Sequence, residues 1–260
     1  MQRRGRDEAG IFSGNIVYAP LTATFGGPSR PQQEKRMEAY SRPKTGNIAQ
    51  FFFVSVQVIW IGLSIVFFVN NWLPSSRAEP KVLLVASMVI LFFNILTFIR
   101  FLGTLFVFLN RQASLEEIIA VPIAFGIYYF GFLYLMYLGG MPSIASIVAG
   151  STLFLVGSTL NSFSEYQRKK WKKDPENRGK LYRNGLFSIS RHPNYFGDVL
   201  WVLGYAVLTG NFWCLIVPAV LFLFFWKVNI PMLEKYLTEK YGDQMKEYRS
   251  KTKSLIPFVL

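Results

Sequence analysis

Two side chains that often carry protein chemistry are nearly missing from this sequence of 260 residues, which contains one cysteine and one histidine. The single cysteine, Cys214, excludes an internal disulfide, and its place inside an apolar segment indicates packing rather than reactivity. One histidine cannot build a histidine-rich metal site, so the sequence predicts no bound metal. The GxSxG nucleophile elbow, the HExxH zinc motif, the phosphate-binding P-loop and the Rossmann glycine fingerprint are also absent.

Acidic residues are scarce as well, with 15 Asp and Glu against 28 Lys and Arg, which gives a net charge of +13. Hydrophobic residues make up 52% of the chain and aromatic residues 17%, with a mean hydropathy of +0.28. This composition is typical of an integral membrane protein. Because the positive charge lies mainly in loops and tails beside apolar segments, it predicts contact with anionic membrane lipids rather than with nucleic acid.

The hydrophobic pattern predicts an all-α integral membrane protein with about six transmembrane helices. The basic segments fall on one side of such a bundle if both the N-terminus and the C-terminus are cytosolic. A C-terminal amphipathic helix, beginning at Pro231, is expected to lie at the membrane interface. The six apolar segments are Ala49–Leu73, Lys81–Asn110, Ile118–Leu138, Ser143–Asn161 (continuing as a helix into the basic region), Asn194–Leu208 and Phe212–Ile230.

The chain divides into two parts by composition. Residues 1–48 are polar, rich in Gly, Pro and Arg, and predict a flexible basic cytosolic tail. Residues 49–260 predict the membrane-embedded domain. Since the first apolar run begins only near Ala49, we expect no ordinary secretory signal peptide.

The only histidine lies in the run Ser190–Asp198, where a basic stretch gives way to an apolar one. Arg191 and His192 can donate to phosphate or carboxylate oxygens, and Asn194 and Tyr195 add directional hydrogen bonds. This ordered mixture predicts a binding site for a charged ligand. The alternative interpretation is a basic cap that anchors a helix at the lipid headgroups.

Two further groups of polar residues lie in or beside apolar segments. Arg100 falls inside the second segment, where an unpaired guanidinium would cost several kcal/mol, so either it has a functional partner or its long stem lets it reach the interface. A second group follows at spacings of four, three and four, which places it on one face of a helix. That face either binds a ribose and phosphates or touches anionic lipid. Its members are Asn161, Glu165, Arg168 and Lys172.

Together these motifs resemble the steroid 5-alpha-reductase superfamily, in particular a branch named only as a domain of unknown function. The resemblance covers roughly residues 94–260. It is carried by the runs Asn161–Glu165, Asp174–Tyr182, Gly185–Phe187, Arg191–Asp198, Gly204–Ala206 and Leu255–Phe258.

The resemblance implies a reductase that binds NADPH in the cytosolic half of the bundle and passes a hydride to a hydrophobic lipid substrate. It implies that Asn161 and Glu165 contact the nicotinamide or ribose part. Asn194 and Tyr195 would line the pocket with Asp198 orienting them. The cations implied as cofactor-binding are Arg100, Arg168, Lys172 and Arg178, and the run at 190–198 adds Arg191 and His192.

The catalytic residues are harder to assign by resemblance. Steroid-reducing members use a membrane glutamate and a tyrosine, whereas the first apolar segment here has no acidic residue and Thr97 takes the place of the tyrosine. Steroid specificity is therefore not implied. The candidates are Tyr195, Tyr128 and Glu117, with Tyr129, Tyr134 and Tyr205 as further proton donors.

Two other functions stay open at this point. One is a membrane methyltransferase of the isoprenylcysteine type that uses S-adenosylmethionine, since such enzymes carry a similar Arg-His-Pro-Asn-Tyr run. The other is a non-catalytic membrane subunit that kept the fold. For a eukaryotic lipid enzyme, the endoplasmic reticulum is the expected membrane.

Overall fold

The computed structural model describes residues 47–71, 79–108 and 115–259, and within these ranges the chain is helical, with no β-strand. The protein is an all-α integral membrane protein, as the sequence predicts. The tail predicted over residues 1–48 lies outside the described residues except for its last two, which begin the first helix. Five helices are long and apolar enough to cross a membrane: Ile48–Asn71, Pro80–Val107, Glu117–Gly139, Ile144–Lys172 and Phe212–Tyr241.

The first half of the described chain contains four helices. Helix α1 covers Asn47–Asn71, and α2 covers Pro80–Gly103 before ending in a wider π-helical turn. Helices α3, Leu115–Gly126, and α4, Phe132–Gly139, form one span through a second π-helical turn at Ile127–Gly131. That turn places two buried tyrosines at the joint, and such turns often mark functional sites.

The second half supplies five more helices and most of the basic residues that the structure describes. Ser143 and Ser146 cap the start of α5 reciprocally, and Pro193 starts α6 with a preset backbone angle. A third π-helical turn, Phe225–Asn229, joins α7 to α8. The helices are α5 (Ile144–Lys172), α6 (Pro193–Leu208), α7 (Ile216–Phe224), α8 (Ile230–Tyr241) and α9 (Asp243–Lys251).

Helices α5 and α6 pack backbone against backbone. A Cβ atom added to Gly157 would lie 2.6 Å from the carbonyl oxygen of Gly197, and one added to Gly204 would lie 2.6 Å from that of Gly150. Both distances are too short for a real side chain, so only glycine permits this crossing. The small residues bring the polar faces of the two helices together.

The fifth predicted crossing is shorter than a full span. Helix α6 has 16 residues, about 24 Å at 1.5 Å per residue, whereas the hydrocarbon core is about 30 Å thick. It ends at the tight turn Thr209–Gly210, as predicted. The side of the membrane on which the termini lie stays a prediction.

The amphipathic helix predicted to begin at Pro231 corresponds to α8, which begins one residue earlier, at Ile230. The last span runs through Pro231 to Tyr241 without a break, and α9 follows after Gly242. The π-helical turn just before Pro231 widens the helix, and a proline in the first turn that follows has no interior hydrogen bond to lose.

Candidate functional site

Arg100 of α2 reaches across to the polar face of α5. Its Nε donates to Ser162 Oγ at 3.1 Å, its Nη1 to Ser158 Oγ at 2.9 Å, and its Nη2 to Asn161 Oδ1 at 2.9 Å. The guanidinium also lies 5.5 Å from the ring centroid of Trp201 on α6. Two roles were predicted for Arg100, a side chain with a polar partner and a side chain that extends to the membrane interface. These hydrogen bonds favour the first.

Asn161 connects this arginine to α6. Its Nδ2 donates to Asp198 Oδ1 at 2.9 Å and to the backbone oxygen of Asn194 at 3.2 Å. Trp201 Nε1 donates to the same carboxylate oxygen at 2.8 Å. Asp198 Oδ2 is buried and has no hydrogen-bond partner among the described residues. A buried carboxylate oxygen left in this state is costly, which is typical of a position that meets a ligand.

The polar cluster extends one turn further along α5. Asn194 Nδ2 donates to Glu165 Oε1 at 3.1 Å, and the other oxygen of Glu165 pairs with Arg168. Lys172 lies close enough to interact with the Glu165 carboxylate. The structure therefore brings together seven of the predicted cofactor-binding residues, which we call the α5–α6 cluster: Arg100, Asn161, Glu165, Arg168, Lys172, Asn194 and Asp198. Arg178 is exposed in the loop after α5.

Arg191 and His192 form a second group with Glu234 of α8. Arg191 Nε pairs with Glu234 Oε1 at 2.7 Å, and His192 Nε2 lies 3.2 Å from the same oxygen. Their backbone nitrogens donate to the carbonyls of Lys253 and Ser254 at 2.9 and 3.0 Å. These two residues therefore hold the C-terminal segment and α8 against the start of α6.

The charge state of the histidine follows from this burial. Desolvation lowers the pKa of His192 below its usual value, and the hydrogen bond to Glu234 opposes that shift without reversing it. The imidazole is therefore mostly neutral near pH 7, since its ordinary pKa is about 6.5. Tyr195 lies between the two groups, with its ring 5.5 Å from His192 and 4.6 Å from Phe225.

A third polar group lies inside the bundle, away from the basic loops. Tyr129 donates its hydroxyl to Gln57 Oε1 at 2.7 Å, and Tyr205 donates to Asn94 Oδ1 at 2.9 Å. Asn94 Nδ2 donates to the backbone oxygen of Tyr129 at 3.0 Å, which joins the two pairs. Thr97 Oγ1 lies 3.4 Å from the Tyr205 hydroxyl. We call these five residues the interior network.

Sequence reasoning missed Gln57 and the partner role of Glu234. Gln57 is 1% exposed, and its Nε2 has no partner among the described residues. Gln57 was visible as a polar residue in an otherwise apolar stretch, a pattern that indicates function by default, whereas Glu234 lies in a charged stretch beside Lys235. The first apolar segment contains no acidic residue, but it does contain the buried amide of Gln57.

The three proposed catalytic residues lie apart. Tyr195 borders the α5–α6 cluster. Tyr128 packs edge-on against Trp201, with ring centroids 4.9 Å apart, and lines an apolar cavity of about 240 Å³ between α3 and α7. Glu117 is buried in the first turns of α3, a helix that packs chiefly against α1. Of the further donors, Tyr134 is 41% exposed on the outer face.

The free cysteine and the possible metal ligands agree in part with the sequence predictions. Cys214 is a free, buried thiol, in keeping with packing. Within the described ranges no three His, Cys, Asp or Glu side chains gather as a metal site would require. The absence of a metal stays a prediction.

The fold and these groups define a class of protein: a helical membrane protein with a buried polar cluster at a glycine-lined helix crossing. The family described as "Protein of unknown function (DUF1295)" matches residues 102–254. The chain belongs to this family, which lies within the steroid 5-alpha-reductase superfamily. The resemblance read from the sequence is confirmed.

Curated relatives fall into two enzyme classes. The chain is similar to the probable O-methyltransferase ustE of Ustilaginoidea virens, 34% identical over 38% of this chain and 36% of the relative. It is similar to the protein-S-isoprenylcysteine O-methyltransferase of Schizosaccharomyces pombe, 34% identical over 38% of this chain and 40% of the relative. It is also similar to 3-oxo-5-alpha-steroid 4-dehydrogenase 2 of Rattus norvegicus, 32% identical over 42% of this chain and 41% of the relative. The match spans less than half of each of these relatives.

Proposed function

We propose that this protein is an NADPH-dependent reductase of a conjugated carbon–carbon double bond in a sterol, isoprenoid or other enone lipid. The observation that carries the proposal is the position of the interior network. Asn94, Thr97 and Arg100 occupy successive turns of α2, so Thr97, whose hydroxyl lies 3.4 Å from that of Tyr205, is about one helical turn before Arg100 of the α5–α6 cluster. A binding cluster and a buried proton donor adjoin each other.

The residues of the α5–α6 cluster fit NADPH. The orphaned Asp198 Oδ2 and the carboxamides of Asn161 and Asn194 offer partners for an amide or a ribose hydroxyl. Arg168, Lys172 and the exposed Arg178 offer positive charge for phosphates, of which NADPH has one more than NADH. When bound, NADPH would supply a hydride.

The chain's own side chains supply the acid. Reduction of an enone places negative charge on the carbonyl oxygen, and a donor must stabilise it and return a proton to the adjacent carbon. The phenols of Tyr205 and Tyr129 are held by Asn94 and Gln57 in an apolar interior that excludes water. The Gln57 amide, with an unsatisfied Nε2, is a further donor to a carbonyl oxygen.

The apolar cavity beside Tyr128 suits the hydrocarbon part of such a substrate. Its walls come from α3 and α7, and Ile123, Val217 and Phe224 are among them. Tyr128 and Trp201 separate this cavity from Asp198 by two packed rings. We therefore propose a positioning role for Tyr128 rather than the role of the acid.

Methyl transfer from S-adenosylmethionine is the second candidate, because relatives named as O-methyltransferases match with similar identity. In that case Arg191 and His192 would bind the carboxylate of the cofactor. Their engagement with Glu234 and with the C-terminal segment argues against a free anion-binding role. Methyl transfer also gives no role to the buried phenols of Tyr129 and Tyr205.

The two functions are separated by ligand-induced thermal stabilisation of the detergent-purified protein with NADPH, NADH and S-adenosylmethionine. A ligand that binds only the folded state raises the melting temperature. We expect a shift with NADPH that is lost in Asn194→Ala and kept in the control Asn71→Ala, an exposed asparagine of α1. A shift with S-adenosylmethionine alone would establish the methyltransferase, and no shift with any of the three would favour the non-catalytic subunit.

A second assay tests the chemistry itself. Deuterium transfer from labelled NADPH to enone lipids should be seen with the wild-type protein and should fall by two to three orders of magnitude in Tyr205→Phe, since general acid catalysis contributes about 10²–10⁴-fold. Tyr134→Phe, on the outer face, is the matched control. Location in the endoplasmic reticulum belongs to this proposal and is tested by imaging the tagged chain.

A further inference from the structure

A lateral groove runs between α2 and α5 on the outer face of the bundle. It encloses about 470 Å³. Its walls are apolar and face outward: Ile99, Leu155 and Phe163 are 57%, 52% and 47% exposed. Its floor is polar and contains Arg100, Ser158 and Ser162. We call it the α2–α5 groove.

The floor is built as a donor site. The hydroxyl oxygens of Ser158 and Ser162 both accept a hydrogen bond from Arg100, at 2.9 and 3.1 Å. Each hydroxyl therefore keeps its own proton to donate. No acceptor for either proton is found among the described residues.

Three hydroxyls elsewhere in the apolar helices are bonded differently. Ser64, Ser87 and Thr152 each donate to the carbonyl oxygen four residues earlier, at 2.8 to 2.9 Å. This is the usual arrangement for a hydroxyl in an apolar helix. The hydroxyls of Ser158 and Ser162 do not make this bond. Together with a guanidinium, they form a set of donors that suits the oxygens of one anionic group.

We propose that the α2–α5 groove binds a membrane lipid that has an oxyanion head, a carboxylate or a phosphate, on a hydrocarbon chain. The head lies on Arg100, Ser158 and Ser162, and the chain lies along Leu96, Ile99 and Leu155. A nucleotide does not fit this groove, because its walls are exposed hydrocarbon side chains of the membrane-facing surface. The site is therefore distinct from the α5–α6 cluster, although Arg100 belongs to both.

The arrangement connects the lipid to the cluster. Arg100 bonds Asn161, which in turn bonds Asp198. A head group that draws the guanidinium toward the groove acts on the same asparagine that faces the proposed cofactor. Occupancy of the groove is thus expected to change the affinity of the cluster for its ligand.

The test is native mass spectrometry of the full chain released from detergent, with oleate, oleoyl lysophosphatidate and oleyl alcohol as probes at mildly alkaline pH. We expect the two anionic lipids to bind and the alcohol, which has the same chain without the charge, to bind at least about tenfold more weakly, a difference of about 1.4 kcal/mol. Equal binding of the alcohol would overturn the proposal.

Two variants locate the site. The double variant Ser158→Ala, Ser162→Ala removes the donors and is expected to weaken oleate binding tenfold or more. Thr152→Ala, whose hydroxyl is already bonded within the same helix, is expected to bind oleate as the wild type does. Leu155→Trp fills the groove from its exposed wall, leaves the floor intact and should also abolish binding.

The control for folding is the melting temperature of each variant without lipid. Unchanged oleate binding by the double variant or by Leu155→Trp would place the lipid elsewhere and overturn the proposal. Mutually exclusive binding of oleate and NADPH, with no ternary complex in the mass spectrum, would assign the arginine to the nucleotide and overturn the proposal as well. This outcome is separate from the failure of the reductase proposal, in which NADPH does not bind at all.

Discussion

Helix α5 meets α6 through backbone atoms, whereas α1 meets its neighbours through long side chains. At the first contact, a Cβ atom on Gly157 would lie 2.4 Å from the backbone nitrogen of Trp201. At the second, Trp60 Nε1 donates to the carbonyl oxygen of Pro122 at 3.1 Å, and the Trp60 ring covers Gly126. Gly62 of α1 has nothing within 4 Å of where its Cβ would lie.

The difference separates a fixed part of the bundle from an adaptable one. Backbone contact fixes the separation of Asn161 and Asp198, because tightly packed interiors accommodate extra atoms poorly. Side-chain contact can change by rotation of a few bonds. The α5–α6 cluster therefore belongs to the rigid part, and Gln57 on α1 completes the interior network from the part that can move.

The comparison predicts its largest effect for one added methyl group. Gly157→Ala should destabilise the protein by about 3 kcal/mol or more, because the backbone of α6 must shift. Gly62→Ala should instead stabilise it slightly, by about 0.5–1 kcal/mol, since alanine is the better helix former in open space. Thermal unfolding in detergent measures both, and a tolerated Gly157→Ala would contradict the rigid crossing.

The next effect concerns the anchor of α6. Glu234→Ala leaves Arg191 and His192 without their carboxylate, which should cost about 3 kcal/mol, the low end of the range for a buried pair, because Arg191 keeps some exposure to solvent. We also expect faster proteolysis of the C-terminal segment that these residues hold. Glu247→Gln is the matched control, because the exposed pairs of Glu247 with Arg183 and Lys251 contribute little. Equal effects of the two variants would remove Glu234 from the anchor.

A smaller effect is expected where α1 contacts the rest of the bundle through side chains. Tyr129→Phe removes the hydroxyl that donates to Gln57 and leaves a buried acceptor unpaired, which costs about 1–3 kcal/mol. Tyr134→Phe, on the outer face, should change the unfolding free energy by less than about 0.5 kcal/mol. If α1 shifts to satisfy Gln57 in another way, the measured loss for Tyr129→Phe will lie at the low end of its range.

The sequence was sufficient for most of the helices and for the α5 face of the cluster, and the reason is periodicity. Asn161, Glu165, Arg168 and Lys172 share one face at helical spacing, and the structure puts the first three into direct bonds with α2, with α6 or with one another. The helix that carries them runs on to Lys172, as predicted. Local patterns fix such faces because side-chain direction repeats every 3.6 residues.

Helical periodicity does not predict contacts between segments that are distant in the sequence. Nothing in the spacing of Arg191 indicates that its partner is Glu234, 43 residues later, or that Tyr129 faces Gln57. Both pairs depend on how whole helices stack. The continuation of the last span through Pro231 depends on the π-helical turn Phe225–Asn229. Helical periodicity does not predict such a turn.

The smallest effect is a pH dependence that arises at the anchor. Burial lowers the pKa of His192, while Glu234 on α8 opposes the shift and Arg191 and Arg168 add to it. The unfolded chain therefore binds this proton at a higher pH than the folded protein does. The sign follows: the contribution is complete above about pH 6.5, the ordinary value for histidine, and is lost as the pH falls through the lower folded value. His192→Gln should flatten this part of the profile of melting temperature against pH. The resulting change in melting temperature should be smaller than the drop in melting temperature caused by Glu234→Ala. A variant as steep as the wild type would assign the pH dependence to other groups and leave the imidazole as a packing element of the anchor.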